Sequence, residues 1–200
     1  MERTETQLTT GAKRGVYGHN LTAEEILKGL ALDAASLDRG RVAAAPGVYA
    51  WFLADGATLG QVSNPAGGPV YVGVTGNLAE REFETHFAAG KTGFSTLRRS
   101  LGAILKAQLD LRGRPRGTGA SKTNYTNYKF DDGGEQRLSA WMHKNLRVGT
   151  RALEHPQVRE PELIILACPP LNLTGWANPE AATIRELRKA CADEAQLERR

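Results

Sequence analysis

The stretch PVYVGVTGNLAERE, residues 69–82, decides how this chain is read. It opens on Val70, Tyr71, Val72 and Val74, β-branched and aromatic residues that favour a strand. The strand stops at Gly73, and Thr75-Gly76-Asn77 make a turn. Asn77 then starts a polar helix that carries Arg81 one turn past the corner. Such a corner can be plain architecture. It can also be where a phenol and a guanidinium meet over a substrate.

Upstream, AAAPGVYAWFLADG (43–56) breaks at Pro46-Gly47 and continues as an apolar and aromatic run over 48–53, which reads as a buried strand. The Gly/Pro/Asn-rich link between the two strands predicts an antiparallel hairpin. Further upstream, LTAEEILKGLALDAASL (21–37) is a helix: Thr22 and Glu25 form a capping box, and Ile26, Leu27, Leu30 and Leu37 make its apolar stripe. Residues 1–20 are polar and read as a loose arm.

Downstream, Asn77 caps a helix through about Phe87, and Ser95 caps a second over 95–109 with Leu97, Leu101, Ile104, Leu105 and Leu109 on one side. RGRPRGTGASKTN (112–124) is a basic loop, and YTNYKF (125–130) alternates as a short strand. GEQRLSAWMHKNLRV (134–148) is an amphipathic helix with Leu138, Trp141, Met142 and Leu146 inward. A short helix in REPELIILACPPLNL (159–173) ends at Pro169-Pro170, and a polar helix closes the chain after Asn178-Pro179.

The 200 residues suit one domain with decoration, and 40% apolar content is enough for a core. No run of eighteen apolar residues exists, and the N-terminus has no signal-peptide core. The two cysteines, Cys168 and Cys191, match no metal-binding spacing, so a reducing cytoplasm is the expected home. The net charge of +4 is a mild lean toward polyanions. Its distribution says more: Lys91, Arg98, Arg99, Lys106, Arg112, Arg114, Arg116, Lys122 and Lys129 fall in one segment whose one acid is Asp110. That segment is the expected nucleic-acid contact, or else a solvated basic surface.

These motifs together resemble the GIY-YIG nuclease superfamily. Gly47-Val48-Tyr49 sits at its first strand motif and Tyr71-Val72-Gly73 at its second. Arg81 follows Tyr71 by ten residues, and Glu160 precedes Asn172 by twelve, spacings similar to those of the family's excision-repair branch. The resemblance covers about 47–172. It implies an α+β fold with a small antiparallel three-stranded sheet and flanking helices. It also implies an N-terminal arm and helix over 1–40, a catalytic domain over 41–175 and a C-terminal helix over 176–200. Three features depart from the pattern. The hairpin link is long, Val74 stands where some members have lysine, and His86 falls five residues after Arg81, where other members often have a histidine or tyrosine four residues on.

The resemblance implies a metal-dependent endonuclease that hydrolyses DNA with one Mg²⁺ or Mn²⁺. Its catalytic residues would be Tyr49, Tyr71, Arg81, His86 and Glu160, with Glu160 on the metal and Gly47, Gly73 and Asn172 in support. The chemistry suits these groups. A carboxylate can hold Mg²⁺, which takes oxygen ligands and keeps several waters. An arginine can grip a phosphate with two parallel hydrogen bonds. Tyr49 or Tyr71 can orient the water, and either phenol or His86 can act as base. Each residue also has a bland reading: a core tyrosine, a surface arginine, a helix-start glutamate, a turn asparagine. Two other functions fit the same sequence: a nucleic-acid-binding module that does not cleave, or the scaffold reused for small-molecule chemistry. No membrane partner is expected.

Overall fold

The computed structural model describes residues 21–64 and 68–198; the arm read over 1–20 lies outside the described residues. Its centre is a three-stranded antiparallel sheet in the order β2-β1-β5, made of β1 (Gly47–Leu53), β2 (Tyr71–Thr75) and β5 (Leu146–Ala152). The expected hairpin forms with Tyr49 opposite Gly73 and Trp51 opposite Tyr71. The second strand runs straight through Gly73 rather than stopping there.

Alternation along the strands divides the core in two. Tyr49, Trp51 and Val148 share one face with a cluster that includes Leu97, Leu101, Leu138, Met142 and Ile184. Val48, Ala50, Phe52 and Val72 share the other with Ile26, Leu30 and Leu163. The second face is covered by α1 (Ala23–Leu32), which carries the Thr22–Glu25 capping box, and by α6 (Pro156–Ala167). The first face is covered by α3 (Thr96–Ile104), α5 (Asp132–Asn145) and α7 (Ala181–Leu197). A small second sheet pairs β3 (Gly113–Arg114) with β4 (Lys129–Phe130), with α4 (Lys122–Thr126) between them.

Several boundaries differ from the sequence reading. The third strand of the main sheet is 146–152, so the helix read over 134–148 stops at Asn145, where the chain passes from α5 directly into β5. Most of 125–130 is divided between the end of α4 and the short β4. The 112–124 segment is not all loop, since it includes β3 and begins α4. The Ser95-capped helix ends at Ile104. The Asn77-capped helix holds α geometry only over α2 (Leu78–Glu80), then widens into a π-turn over Arg81–His86.

Candidate active site

Two motif glycines explain themselves by close approach. A Cβ on Gly73 would sit 2.5 Å from the Tyr49 hydroxyl and from its ring, so only glycine lets that ring lie flat across β2. A Cβ on Gly47 would run into the Arg151 carbonyl oxygen and lie 2.6 Å from Leu78. The glycines therefore make room for Tyr49 and for the helix that follows the corner.

Tyr49 is the junction of the site, and it is buried at 1% exposure. Its hydroxyl accepts a hydrogen bond from Arg81 Nε at 3.4 Å and shares another with His86 Nε2 at 2.9 Å. His86 Nδ1 shares a third with Ser95 Oγ at 2.7 Å. The π-turn makes this possible. Its hydrogen bond runs from Phe87 N–H to the Glu82 carbonyl, so residues five apart are brought round to one side. The extra residue between Arg81 and His86 is absorbed, and both reach the same oxygen.

His86 is fully buried and stands behind Tyr49, so it does not reach the solvent. Burial, then the charges of Arg81 and Arg98, hold it well below the usual histidine pKa and keep it neutral. A neutral imidazole donates from one nitrogen and accepts at the other. The Tyr49–His86–Ser95 chain of hydrogen bonds can run in either direction. Burial, then Tyr71 and Glu82, push the Tyr49 phenol well up, against the pull of Arg81.

Tyr71 is the phenol that faces outward. It lies half-buried on edge strand β2, its ring centroid 6.1 Å from that of Tyr49. It lines an open cleft of about 980 Å³ together with Glu160 and Asn172. Burial raises its pKa first; Arg81 lowers it, and the Glu160 charge raises it again. Glu160 is therefore within electrostatic reach of Tyr71. Its own carboxyl is raised by burial, and among the described residues it has no hydrogen bond or ion pair.

Arg81 lines a second, smaller hollow of about 450 Å³ with Thr75, Gly76, Asn77, Glu80 and Thr85. Tyr71, Gly73 and Thr75 share one face of β2, so the two hollows meet opposite ends of a strand face about 13 Å long. Burial works against the Arg81 cation, but Tyr49, Tyr71 and Glu82 outweigh it and raise its pKa. With Nε on Tyr49, its two terminal nitrogens have no hydrogen-bond partner among the described residues.

Asn172 supports this strand directly. Its side chain accepts from Val72 N–H at 2.9 Å and donates to the Val72 carbonyl at 2.8 Å. One amide thus supplies both bonds that a further strand would give at the open edge.

The expected basic contact segment is corrected at two positions. Arg98 is fully buried and pairs with Glu135 at 2.7 Å, while also donating to Thr92, to Ser139 and to the His86 carbonyl. A cation enclosed in this way holds the π-turn to α3 and α5 and touches no ligand. Arg99 is 9% exposed and donates to the Gly93 carbonyl. Lys106 pairs with Glu194 and Arg114 with Glu198. Arg116 and Lys91 lie over the ring of Phe94, and Arg112 is exposed.

The sequence reading also passed over Glu82, which is fully buried with both carboxylate oxygens unpartnered. Burial pushes its pKa well up, against the Arg81 charge. In ERE it looks like surface charge, and no sequence signal marks the π-turn that turns it inward. The α7 residues along the cleft were passed over too, although Arg185, Arg188 and Lys189 fall at helical-face spacing.

The donor set fits a cation held mainly by others. Among the described residues no three His, Cys, Asp or Glu side chains group as a metal cage. Glu160, unpartnered on the wall of an open cleft, is a single carboxylate that a hydrated divalent ion could use alongside substrate oxygens. Among the described residues no helix is long and apolar enough to cross a membrane. In comparisons with known proteins, a family model described as GIY-YIG catalytic domain matches residues 47–191. No curated protein and no solved structure gives a match.

Proposed function

This chain belongs to the GIY-YIG catalytic domain family, a nuclease-type fold, and from that premise we propose that it is a metal-dependent endonuclease hydrolysing DNA phosphodiester bonds. The observation that carries the proposal is the arrangement around one strand face. Tyr71 and Glu160 line one cleft within electrostatic reach of each other, and Arg81 is fixed on the hydroxyl of the neighbouring Tyr49.

Glu160 would hold Mg²⁺ or Mn²⁺, which when bound would activate water and neutralise phosphate charge. Arg81, its Nε occupied by Tyr49, would present its terminal nitrogens to the phosphate as a two-pronged donor. Tyr71, on the cleft side, would orient the attacking water, and once the bound cation had lowered its pKa and it stood as the phenolate it would take the water's proton. Tyr49 and His86 would act from behind it, fixing Arg81 and offering a hydrogen-bonded path for charge to shift along. His86 as direct base is disfavoured by its burial.

Plasmid nicking with Mg²⁺, on supercoiled, branched and single-stranded DNA and with a Glu160→Gln control, tests the proposal. Metal-dependent cutting that the variant lacks supports it; no cutting under any of these conditions defeats it. Val74, standing where some members of the family have lysine, favours one second reading, a non-cleaving nucleic-acid-binding module. Salt-sensitive binding without cutting is its signature.

A further inference from the structure

The cleft that begins at Tyr71 and Glu160 continues along the C-terminal helix. Residues 185, 188, 189, 192, 193 and 196 recur at three- and four-residue spacing on α7, and all of them line it. Lys122 and Tyr125 of α4 line it as well. Lys189 is paired with Asp193 at 2.5 Å, and Arg185 donates to the Leu173 carbonyl at 2.5 Å. Among the described residues, the Arg188 and Lys122 side chains have no hydrogen bond or carboxylate partner. They are cations at a cleft wall without a counter-ion.

A second observation lies just behind the same wall. Arg99, which does not itself line the cleft, donates from Nη2 to Thr96 Oγ1 of its wall at 3.3 Å and has a buried Nε without a partner. Burial, then the Arg188 charge, push its pKa down to about 10, with Arg116 adding to the effect. Arg99 and Arg116 both donate to the Gly93 carbonyl, so two guanidinium groups stand side by side behind the wall, an arrangement suited to phosphate. Aromatic rings lie in and beside the cleft with these charges. Tyr71 and Tyr125 line the cleft, and Phe94, 58% exposed and two residues before Thr96, has Arg116 over its ring at 4.7 Å. A positive groove with interleaved aromatic rings suits an unpaired strand, whose phosphates follow the cations and whose bases stack.

We propose that this α7–α4 wall is the track for a single, unpaired nucleic-acid strand leading to the Tyr71–Glu160 end, with Arg188 and Lys122 on its phosphates and Tyr125 under a base. The inference rests on the nuclease reading of the same cleft and names the form of its substrate.

The test measures anisotropy of a short labelled single-stranded oligonucleotide without divalent metal, in a Glu160→Gln background, over a range of salt. Arg188→Ala with Lys122→Ala should weaken binding by roughly tenfold or more at low salt and flatten the log–log salt slope by about 1.4 for two phosphate contacts. Lys28→Ala with Lys144→Ala removes as much charge from exposed positions outside the cleft and should change little. Tyr125→Ala should cost about fivefold or more and Tyr125→Phe little, since stacking needs only the ring. Thermal melts confirm that each variant is folded.

An unchanged slope, or an equal loss in the control pair, overturns the track. A blunt duplex that binds as tightly as the single strand and loses as much overturns the unpaired-strand assignment. Binding that behaves as expected in a chain that never cuts DNA leaves the track standing and defeats the nuclease reading. Cutting that the track variants leave untouched does the reverse.

Discussion

Arg81 and His86 lie five residues apart and meet the same oxygen, the hydroxyl of Tyr49. An α-helical turn brings residues three and four apart onto one face, so five is the wrong spacing for it. The π-turn over Arg81–His86 corrects the spacing. A one-residue difference in sequence is thereby converted into a local change of helix pitch, and the constellation survives.

The first prediction concerns that shared oxygen. Tyr49→Phe removes the acceptor of Arg81 Nε and the partner of His86 while keeping the ring packed in the space Gly73 leaves. DNA cleavage should fall by roughly a hundredfold, and stability by about 1–3 kcal/mol for the buried groups left unpaired. Paired cleavage rates and denaturant midpoints check it; wild-type cutting would remove Tyr49 from the machinery.

Glu160→Gln keeps the shape of the cleft wall and removes its unpartnered charge. Metal-dependent cutting should drop to background while oligonucleotide affinity stays level or rises, because a like charge facing the phosphates is gone. Single-turnover cleavage and metal-free binding, measured on one preparation, separate the two effects.

Two buried titratable groups give stability an opposed dependence on pH. The folded pKa of His86 lies below the unfolded value of about 6.5, so its contribution is intact above that pH and is lost as pH falls below it. Glu82 is the reverse: its folded pKa lies above the unfolded value of about 4.3, so stability is lost as pH climbs from there toward the folded value. Melting temperatures across the range should show His86→Gln flattening the acid-side loss. Glu82→Met should flatten the other limb and melt above wild type near neutrality. A Glu82→Met curve parallel to wild type would show that Glu82 does not titrate as described.

Removing one partner of the enclosed Arg98–Glu135 pair should be expensive. Arg98→Met leaves a carboxylate buried without its cation, at a cost of about 3–5 kcal/mol, and adding Glu135→Leu should recover much of it. Denaturant unfolding reads both. Where the double variant folds, the salt slope of oligonucleotide binding should match wild type, since Arg98 reaches no ligand.

The sequence exposes some of this plainly. The 48–53 run is legible because both faces of β1 are buried, and Asn77 and Ser95 are legible because caps follow local hydrogen-bonding rules. β5 was missed because nothing breaks the chain between Asn145 and Leu146, and Arg147 and Arg151 dilute its apolar alternation. Arg98 could have been found. It lies three and seven residues before Leu101 and Leu105, on the apolar stripe, while Glu135 precedes Leu138 and Met142 on the stripe of α5. Cations counted in a segment do not say which way they point; stripe position does. The inward turn of Glu82 and His86 was beyond reach, because it depends on a π-turn that local propensity does not encode.

Asn172 closes the edge of β2 from 100 residues further along the chain. At about 5–20 residues per second of synthesis, that strand waits about 5–20 seconds for its clasp. Until then the nascent chain carries a bare strand edge, lacks the Glu160 wall for most of the interval, and has no cleft. Assembly of the site is therefore coupled to synthesis of the chain through Asn172. A ribosome stalled before Asn172 would hold a fragment with a bare, aggregation-prone strand edge and an unfinished cleft.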